Sequence, residues 1–385
     1  MDLIDERAGS AMNRVAYESL CERILKRTEV FMDVLTQEEG ISREFQMDWK
    51  EFFLEMKYVF QNYKELKNAA ENCLIRLLIE TDLINMTAVL KDSLRVSLAH
   101  FLEMLFRESQ HLNEDELGFG VIVQNEARYL PEWIEYHKLI GVSRFFIYNN
   151  ESSDNIEEVL EPYITEGTVT YYNWPGQAQQ QIVYDHIINN YQNEVRLMGF
   201  LDADEFLLPL GEQSVLEILD DIFKKDTHVA GVGMNWLLFG SSGFEKEPEG
   251  LVIRNFLRCS EPNFDKNKFV KLICDPRQVL YPSSPHLIRY KESYYSVNED
   301  GDRLNTFYNN LGPEGCKKLQ INHYYTKSME YWEKKKLKGG SAFYGKNTRN
   351  WGKFIVNDRN EMEDRRILKY ADSVESALRE KGFIA

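Results

Sequence analysis

Between residues 118 and 201, short apolar runs alternate with amphipathic segments, and this alternation limits the fold more than any other feature. Strand-type runs fall at 118–123, 145–148, 168–172 and 195–201. Helical patterns fall between them, at 131–139, 156–163 and 178–191, and Pro131 suits a first helical turn. Strand and helix in such quick succession predict an α/β fold, with parallel strands joined by crossover helices. In sheets of that kind, ligands gather at the carboxyl ends of the strands.

Each of those ends is polar here. The first run leads into Gln124-Asn125-Glu126 and the second into Asn149-Asn150, Ser152 and Asp154. The third leads into Asn173-Trp174-Pro175-Gly176-Gln177. Turn and helix-cap chemistry accounts for any one of these alone. Together on one edge they would build a nucleotide pocket. The fourth run ends in Phe200-Leu201-Asp202-Ala203-Asp204-Glu205. Two carboxylates one residue apart at the end of an apolar strand suit a hard cation such as Mg2+ or Mn2+. Such ions prefer oxygen ligands and keep positions open for substrate phosphates. A metal-bridged diphosphate follows, with a nucleotide-sugar as the natural donor.

The chain before residue 116 has a different grammar. It contains no proline, and no glycine occurs between Gly40 and Gly118, which favours long unbroken helices. Leu20, Ile24, Phe31 and Leu35, then Phe52, Met56, Phe60 and Tyr63, then Leu90, Leu94, Phe101 and Leu105, repeat at helical spacing. These stripes predict an all-α bundle over 1–115, serving packing or homo-oligomerisation. A formal charge of −16 argues against nucleic acid as a partner. Five scattered cysteines without a CxxC pair fit a reducing cytosol and offer no zinc-site spacing. The start is too polar for a signal peptide, and no apolar run reaches the ~18 residues of a membrane span. The expectation is a cytoplasmic protein, with peripheral contact at the inner membrane face left open.

A longer pattern joins these pieces. Asn125-Glu126 precedes Glu132-Trp133-x-Glu135-Tyr136-His137 and Gly141-Val142. Tyr148-Asn149-Asn150-x-Ser152-x-Asp154 and Trp174-Pro175-Gly176 follow, then Gln180, Gln181 and Tyr184. Beyond the paired aspartates come Trp236-x2-Phe239-Gly240-Ser241-Ser242-Gly243, Lys271, His286 and Ile321-Asn322-His323-Tyr324-x-Thr326-Lys327-Ser328. In order and spacing this resembles glycosyltransferase family 92 and its bacterial family-2-like relatives, over residues 118 to 340. Gln124 departs from it, standing where a lysine is common. The resemblance implies a GT-A-like (Rossmann-like) mixed, mostly parallel sheet flanked by helices over 116–345, followed by a C-terminal helical extension over 346–385. It also implies metal-dependent, inverting transfer of a sugar to a hydroxyl of a glycan acceptor, in cell-surface polysaccharide or glycoconjugate synthesis.

The chemistry of the residues fills in roles. Asp204 is the expected direct metal ligand, and Asp202 reaches the metal through water or holds the donor ribose. His323 is the expected third ligand, and its imidazole favours Mn2+ over Mg2+. Lys327 and Ser328 suit a diphosphate. Gln124, Asn125, Glu126, Asn149, Asn150, Ser152, Asp154, Gln181 and Lys271 complete the expected donor contacts. Inversion requires a base near the acceptor hydroxyl. Glu245 and His286 are the candidates, and Glu205 either orients the sugar or supports the ligands from behind. The Gly/Ser loop at 240–243 would let an acceptor approach the backbone. Trp236 and Phe239 fit sugar stacking or the core equally. The basic, aromatic stretch from Tyr331 to Lys353 fits a flap over the diphosphate, a site for an anionic acceptor or lipid head groups, or a solvated helix face. Two other classes compete: a sugar nucleotidyltransferase, which would carry a Gly-rich basic loop after its first strand, and a non-catalytic scaffold.

Overall fold

In the computed structural model, residues 116–310, 314–336 and 349–384 are described. The bundle expected over 1–115 lies outside them. The parallel half forms as the alternation dictates. It comprises β1 (Leu117–Val123), α1 (Leu130–Leu139), β2 (Arg144–Asn149), α2 (Ile156–Thr165), β3 (Val169–Asn173), α3 (Gln180–Tyr191) and β4 (Leu197–Phe200). These strands lie in the order β3-β2-β1-β4 and pair in parallel throughout.

The sheet then changes character. The chain continues through β5 (Glu205–Pro209), α4 (Val215–Phe223), β6 (Val229–Leu238), α5 (Val252–Asn255), β7 (Arg258–Cys259) and β8 (Val270–Cys274). There follow β9 (Val279–Ser284), β10 (Leu287–Tyr290), β11 (Tyr295–Val297), β12 (Leu319–His323), α6 (Trp351–Asn357), β13 (Met362–Glu363) and α7 (Ala371–Glu380). Beyond β4 the order runs β8-β6-β12-β5, with β11 also on β6, giving a mixed sheet of nine strands. β8 is antiparallel to both β4 and β6, and β12 is parallel to β6 but antiparallel to β5. β5, β6 and β8 are buried along their whole lengths, as continuous apolar strands covered on both faces must be.

Two apolar layers sandwich the sheet. On one face α1 and α2 pack against Phe119, Phe145, Leu197 and Phe206. On the other, α3 packs against Phe146, Tyr148, Met198 and Phe200. Gly120 permits that second approach, because a Cβ there would lie 2.6 Å from Ile187 Cδ1. The segment read as a C-terminal extension does contain helices, α6 and α7, and it is part of the same core. Ile367, Ala371, Val374 and Leu378 are buried in the first layer, and β13 pairs with β7. The described residues all belong to one folding unit.

Candidate active site

The site begins with a register. β12 runs antiparallel to β5 with His323 opposite Glu205 and Asn322 opposite Phe206. The main chain continues the tie, since Tyr324 N donates to Asp204 O at 2.8 Å. A slip of one residue would turn His323 to the other face of the sheet. The position of β5 is fixed in turn by α1. Trp133 Nε1 donates to Glu205 O at 2.8 Å, and Tyr136 Oη donates to Leu207 O at 2.8 Å. His137 Nδ1 lies 2.8 Å from Trp133 O, while Leu207 N donates to His137 Nε2 at 3.2 Å. Those two contacts demand the neutral Nδ1–H tautomer, and burial pushes the imidazole down to about 3. The Trp-x-Glu-Tyr-His stretch is thus a clamp that places the acidic turn.

At that turn, Lys271 Nζ lies 3.1 Å from Asp202 Oδ2 and 3.3 Å from Glu205 Oε2. Asp202 Oδ1 accepts from Gln180 Nε2 at 2.8 Å, and Glu205 Oε2 accepts from Asp202 N at 2.9 Å. Lys271 and Glu205 have no exposed surface, whereas the Asp202 side chain is 36 % exposed. Burial pushes the Glu205 carboxyl up to about 8, against the pull of Lys271. Burial also acts to raise Asp202, but Lys271 outweighs it and holds that carboxyl below its usual value. Burial would lower Lys271; Asp202 and Glu205 overcome it and keep the ammonium charged.

Asp204 and His323 form the second half of the centre. Asp204 Oδ1 lies 3.6 Å from His323 Nε2, and both side chains are nearly buried. One oxygen and one nitrogen at that separation suit a divalent cation that takes its other ligands from a diphosphate and water. Asp202 is committed to Lys271 and Gln180. Among the described residues, no group of three His, Cys, Asp or Glu side chains is arranged to hold an ion alone. Two such groups would need further ligands from outside the chain to hold an ion.

The strand-end residues are largely stitched to one another. Asn125 N donates to Ser152 Oγ at 2.8 Å, and Asn125 Oδ1 accepts from Ser153 N at 2.7 Å. Ala127 N donates to Asp154 Oδ2 at 2.9 Å. Asn149 Nδ2 donates to Tyr171 Oη and Asn173 Oδ1, each at 2.9 Å. Asn150 Nδ2 donates to Trp174 O and Gly176 O, and Gln124 Nε2 to Asn150 O. Gln181 Nε2 donates to Ser283 O. Apart from the Gln181 bond, which ties α3 to β9, these bonds cross-link the ends of β1, β2 and β3, which is the turn chemistry that the sequence also allowed. Ser328 is a cap too: its Oγ accepts from Tyr331 N at 3.1 Å. Lys327 is buried, with φ +46°, and its Nζ stands 3.5 Å from the Tyr129 ring centroid and 4.4 Å from that of Tyr331. Tyr331 Oη donates to Glu126 Oε1 at 3.3 Å, and Lys335 pairs with the same carboxylate. Glu126 and Lys327 thereby join the start of the site to its end.

The two base candidates, Glu245 and His286, and the supporting Glu205 fare differently. Glu205 is completely buried and supports Asp202 and Lys271, so it does not present itself to an acceptor. His286 sits in an aromatic group with Trp236 at 5.1 Å and Phe269 at 5.2 Å. Its Nδ1 lies 3.0 Å from Val270 O, and burial, then Lys271, push it down to about 3, which makes it a weak proton acceptor at neutral pH. Glu245 is exposed and is tied to the turn at Ser328 through its backbone, where Glu330 N donates to Glu245 O at 2.9 Å. The Gly/Ser loop is gripped by the protein's own chain. Ser241 Oγ donates to Asp358 Oδ2 at 3.1 Å, and Ser242 N donates to Asn360 Oδ1 at 2.8 Å. A Cβ on Gly240 would meet Arg359 O at 2.3 Å. The backbone approach expected of an acceptor is made instead by residues 358–360. Phe239 is core, against Tyr324 at 4.8 Å, whereas Trp236 lies 4.3 Å from the His323 ring.

Residue reading missed Gln180, Tyr129 and Tyr331 as parts of the centre. Gln180 was visible in the motif but carries no charge to mark it. The two tyrosines are paired with the site only through the return of the chain near residue 330.

The profile of glycosyltransferase family 92 matches residues 121–376, more than half of the chain. A family 92 protein of Oryza sativa subsp. japonica is 32 % identical over 227 residues, which are 58 % of this chain and 35 % of that protein. Another, of Ricinus communis, is 30 % identical over 193 residues, 48 % of this chain and 33 % of its own. A galactan beta-1,4-galactosyltransferase of Arabidopsis thaliana is 30 % identical over 112 residues, 26 % of this chain and 22 % of its own. The chain spans about a third, or less, of the length of these relatives. A crystal structure of S. aureus TarS 1–349 aligns at 11 % identity over 69 % of this chain and 72 % of that chain, with a TM-score of 0.28, too loose a likeness to carry the fold. On the match across 121–376, the chain belongs to glycosyltransferase family 92.

Proposed function

We propose that this chain transfers a sugar from a nucleoside-diphosphate donor to a hydroxyl of a glycan acceptor, with a divalent cation held by Asp204 and His323. The observation that carries the reading is that pair, 3.6 Å apart, set beside the Lys271–Asp202–Glu205 group at the carboxyl ends of the parallel strands. When bound, the cation would act as a Lewis acid toward the departing diphosphate. Asp204 and His323 anchor it, with Mn2+ preferred to Mg2+ for the imidazole. Lys271 and Gln180 fix Asp202, whose exposed carboxylate edge is free to orient the donor through a water or a ribose hydroxyl. Inversion is the stereochemistry in this reading, and synthesis of a cell-surface polysaccharide or glycoconjugate is its setting. No described helix is long and apolar enough to cross a membrane.

The test is donor binding by thermal shift, with UDP, GDP, ADP, CDP and their sugars, with and without Mn2+, on the full chain and on Asp204→Ala. A ligand that binds the folded state raises the melting temperature with its occupancy. The expected result is one nucleoside diphosphate that stabilises the wild type only with metal and leaves the variant unmoved. No shift with any nucleotide, from a protein that remains folded, would sink the transferase reading in favour of a non-catalytic scaffold.

A further inference from the structure

An unbroken series of rings leads away from the candidate metal pair to the surface. His323 meets Trp236 at 4.3 Å between centroids, and Trp236 stacks on Phe269 at 5.1 Å. Phe269 then meets Tyr308 at 4.7 Å and Phe307 at 5.8 Å. The series ends in the open, because Phe307 is 37 % exposed and Tyr308 is 45 % exposed. These two rings are not on a loose loop. Val270 N donates to Phe307 O at 3.2 Å, Asn309 N donates to Lys268 O at 2.8 Å, and Tyr308 bridges to Phe269. Asn235 and Asn309 exchange side-chain and backbone bonds at 2.7 and 3.0 Å. The fold therefore holds two large aromatic rings, packed on each other and partly exposed, at the surface end of this series.

Tyr308 also lines a cavity of about 470 Å³, whose other walls are mostly polar side chains, with Leu304 the exception. Asn305 and Asn310 offer amide groups there, whereas the Thr306 hydroxyl donates to Tyr308 O at 3.1 Å and accepts from Tyr308 N at 3.2 Å, which holds the Tyr308 ring in place. Glu299, Asp300, Asp302 and Glu314 outnumber Arg303 and Lys317 around it, so an anionic ligand would be repelled. A flat aromatic face beside convergent hydrogen-bonding groups is what a pyranose needs, since its C–H face is apolar and its rim is hydroxylated.

We infer that Phe307 and Tyr308, at the surface end of this series, form the binding platform for a neutral oligosaccharide acceptor that lies beside the Tyr308 cavity. The inference deepens the transferase reading and rests on it for the word acceptor. The binding itself is testable separately. The full chain would be titrated with neutral gluco-, galacto- and manno-tetrasaccharides, followed by saturation-transfer NMR. The same titration would be made on Phe307→Ala, Tyr308→Ala and Phe307→Tyr. At least one tetrasaccharide should bind the wild type, each alanine variant should weaken it about tenfold, and Phe307→Tyr should retain it, at ~1.4 kcal/mol per factor of ten. Metal-dependent nucleotide binding should be unchanged in all three, which also confirms that they fold. Binding that survives both alanine substitutions, or a wild type that takes none of the sugars while binding a nucleotide, overturns the platform and spares the transferase reading. Platform-dependent sugar binding without any nucleotide binding does the reverse.

Discussion

Lys271 and Glu205 face each other at 3.3 Å with neither side chain exposed at all. The ammonium there is the counter-charge of Asp202, 3.1 Å away on the same nitrogen, while Glu205, pushed up to about 8 by burial, serves it chiefly as a hydrogen-bond acceptor. Truncating one member of a buried ionic group is costly, since the charges left behind cannot be rehydrated. Lys271→Met should therefore destabilise the protein by about 3–5 kcal/mol in urea denaturation. Glu205→Gln keeps an acceptor for Asp202 N and should cost far less. Combining the two should recover part of the loss of the lysine, a coupling that a double-mutant cycle reads directly. Strict additivity of the two changes would show that the group does not act as a unit.

His137 carries a pH signature. Its imidazole is pushed down to about 3 by burial, against an unfolded value of about 6.5. Between those values the unfolded chain binds the extra proton. The stability due to the neutral buried ring is complete above about pH 6.5 and falls as pH drops toward 3, by at most ~1.4 kcal/mol per pH unit. Glu132 works the other way. Its carboxyl accepts from Val252 N at 2.8 Å and Ile253 N at 3.0 Å, yet burial raises it to about 7. A raised carboxyl loses stability as pH climbs from its unfolded value through 7, so the two effects oppose each other over much of that range. Urea midpoints measured from pH 4 to 7 should therefore rise more steeply with pH in Glu132→Gln than in the wild type. Imidazole 15N shifts should keep His137 in the Nδ1–H form down to pH 4. A His137 that titrates near 6.5 would remove the clamp on Leu207.

Gly240 is required by a neighbour and not by its own backbone angle. A methyl group there would sit 2.3 Å from Arg359 O and 2.5 Å from Asn360 Oδ1. The backbone oxygen cannot move without disturbing Asp358 and Asn360, which hold Ser241 and Ser242. Gly240→Ala should cost about 1–3 kcal/mol, as overpacking does, and limited proteolysis should then cut first near residues 358–360. A melting temperature equal to wild type would show that this contact is slack.

How much of this could be read beforehand depends on distance along the chain. β1 to β4 and α1 to α3 are local patterns, so periodicity found each of them to within a few residues. Asp202 and Asp204 were legible because an apolar strand led straight into them. Their partners came only from the longer family pattern, which named His323 as a ligand and Lys271 as a donor contact but not as the counter-charge of Asp202. Lys271 is 69 residues from Asp202, and His323 reaches Asp204 only through the β5–β12 register, which no local pattern specifies. The Trp-x-Glu-Tyr-His stretch was visible as a motif, but its role as a clamp on Glu205 and Leu207 needed the packed helix. The asparagines at the strand ends are ambiguous in another way. Their residue types suit ligand contacts and turn cross-links equally, and the structure uses them for the second.

In the proposed site, Asp204 and His323 should be separable from Asp202 by metal affinity. The first two lie 3.6 Å apart and offer an oxygen and an imidazole nitrogen to one ion, whereas Asp202 is already bonded to Lys271 and Gln180. Bound Mn2+ can be counted by electron paramagnetic resonance, in the presence of whichever nucleoside diphosphate stabilises the wild type. His323→Gln and Asp204→Asn should each lower Mn2+ affinity by at least about tenfold, close to ~1.4 kcal/mol. Asp202→Asn should leave Mn2+ affinity within about threefold while weakening the intact nucleotide-sugar. His323→Gln should also narrow the preference for Mn2+ over Mg2+, because an amide oxygen replaces the nitrogen that favours the softer ion. If Asp202→Asn strips the metal as thoroughly as Asp204→Asn does, the ion sits between the two aspartates. Lys271 would then have to release Asp202 when the donor binds.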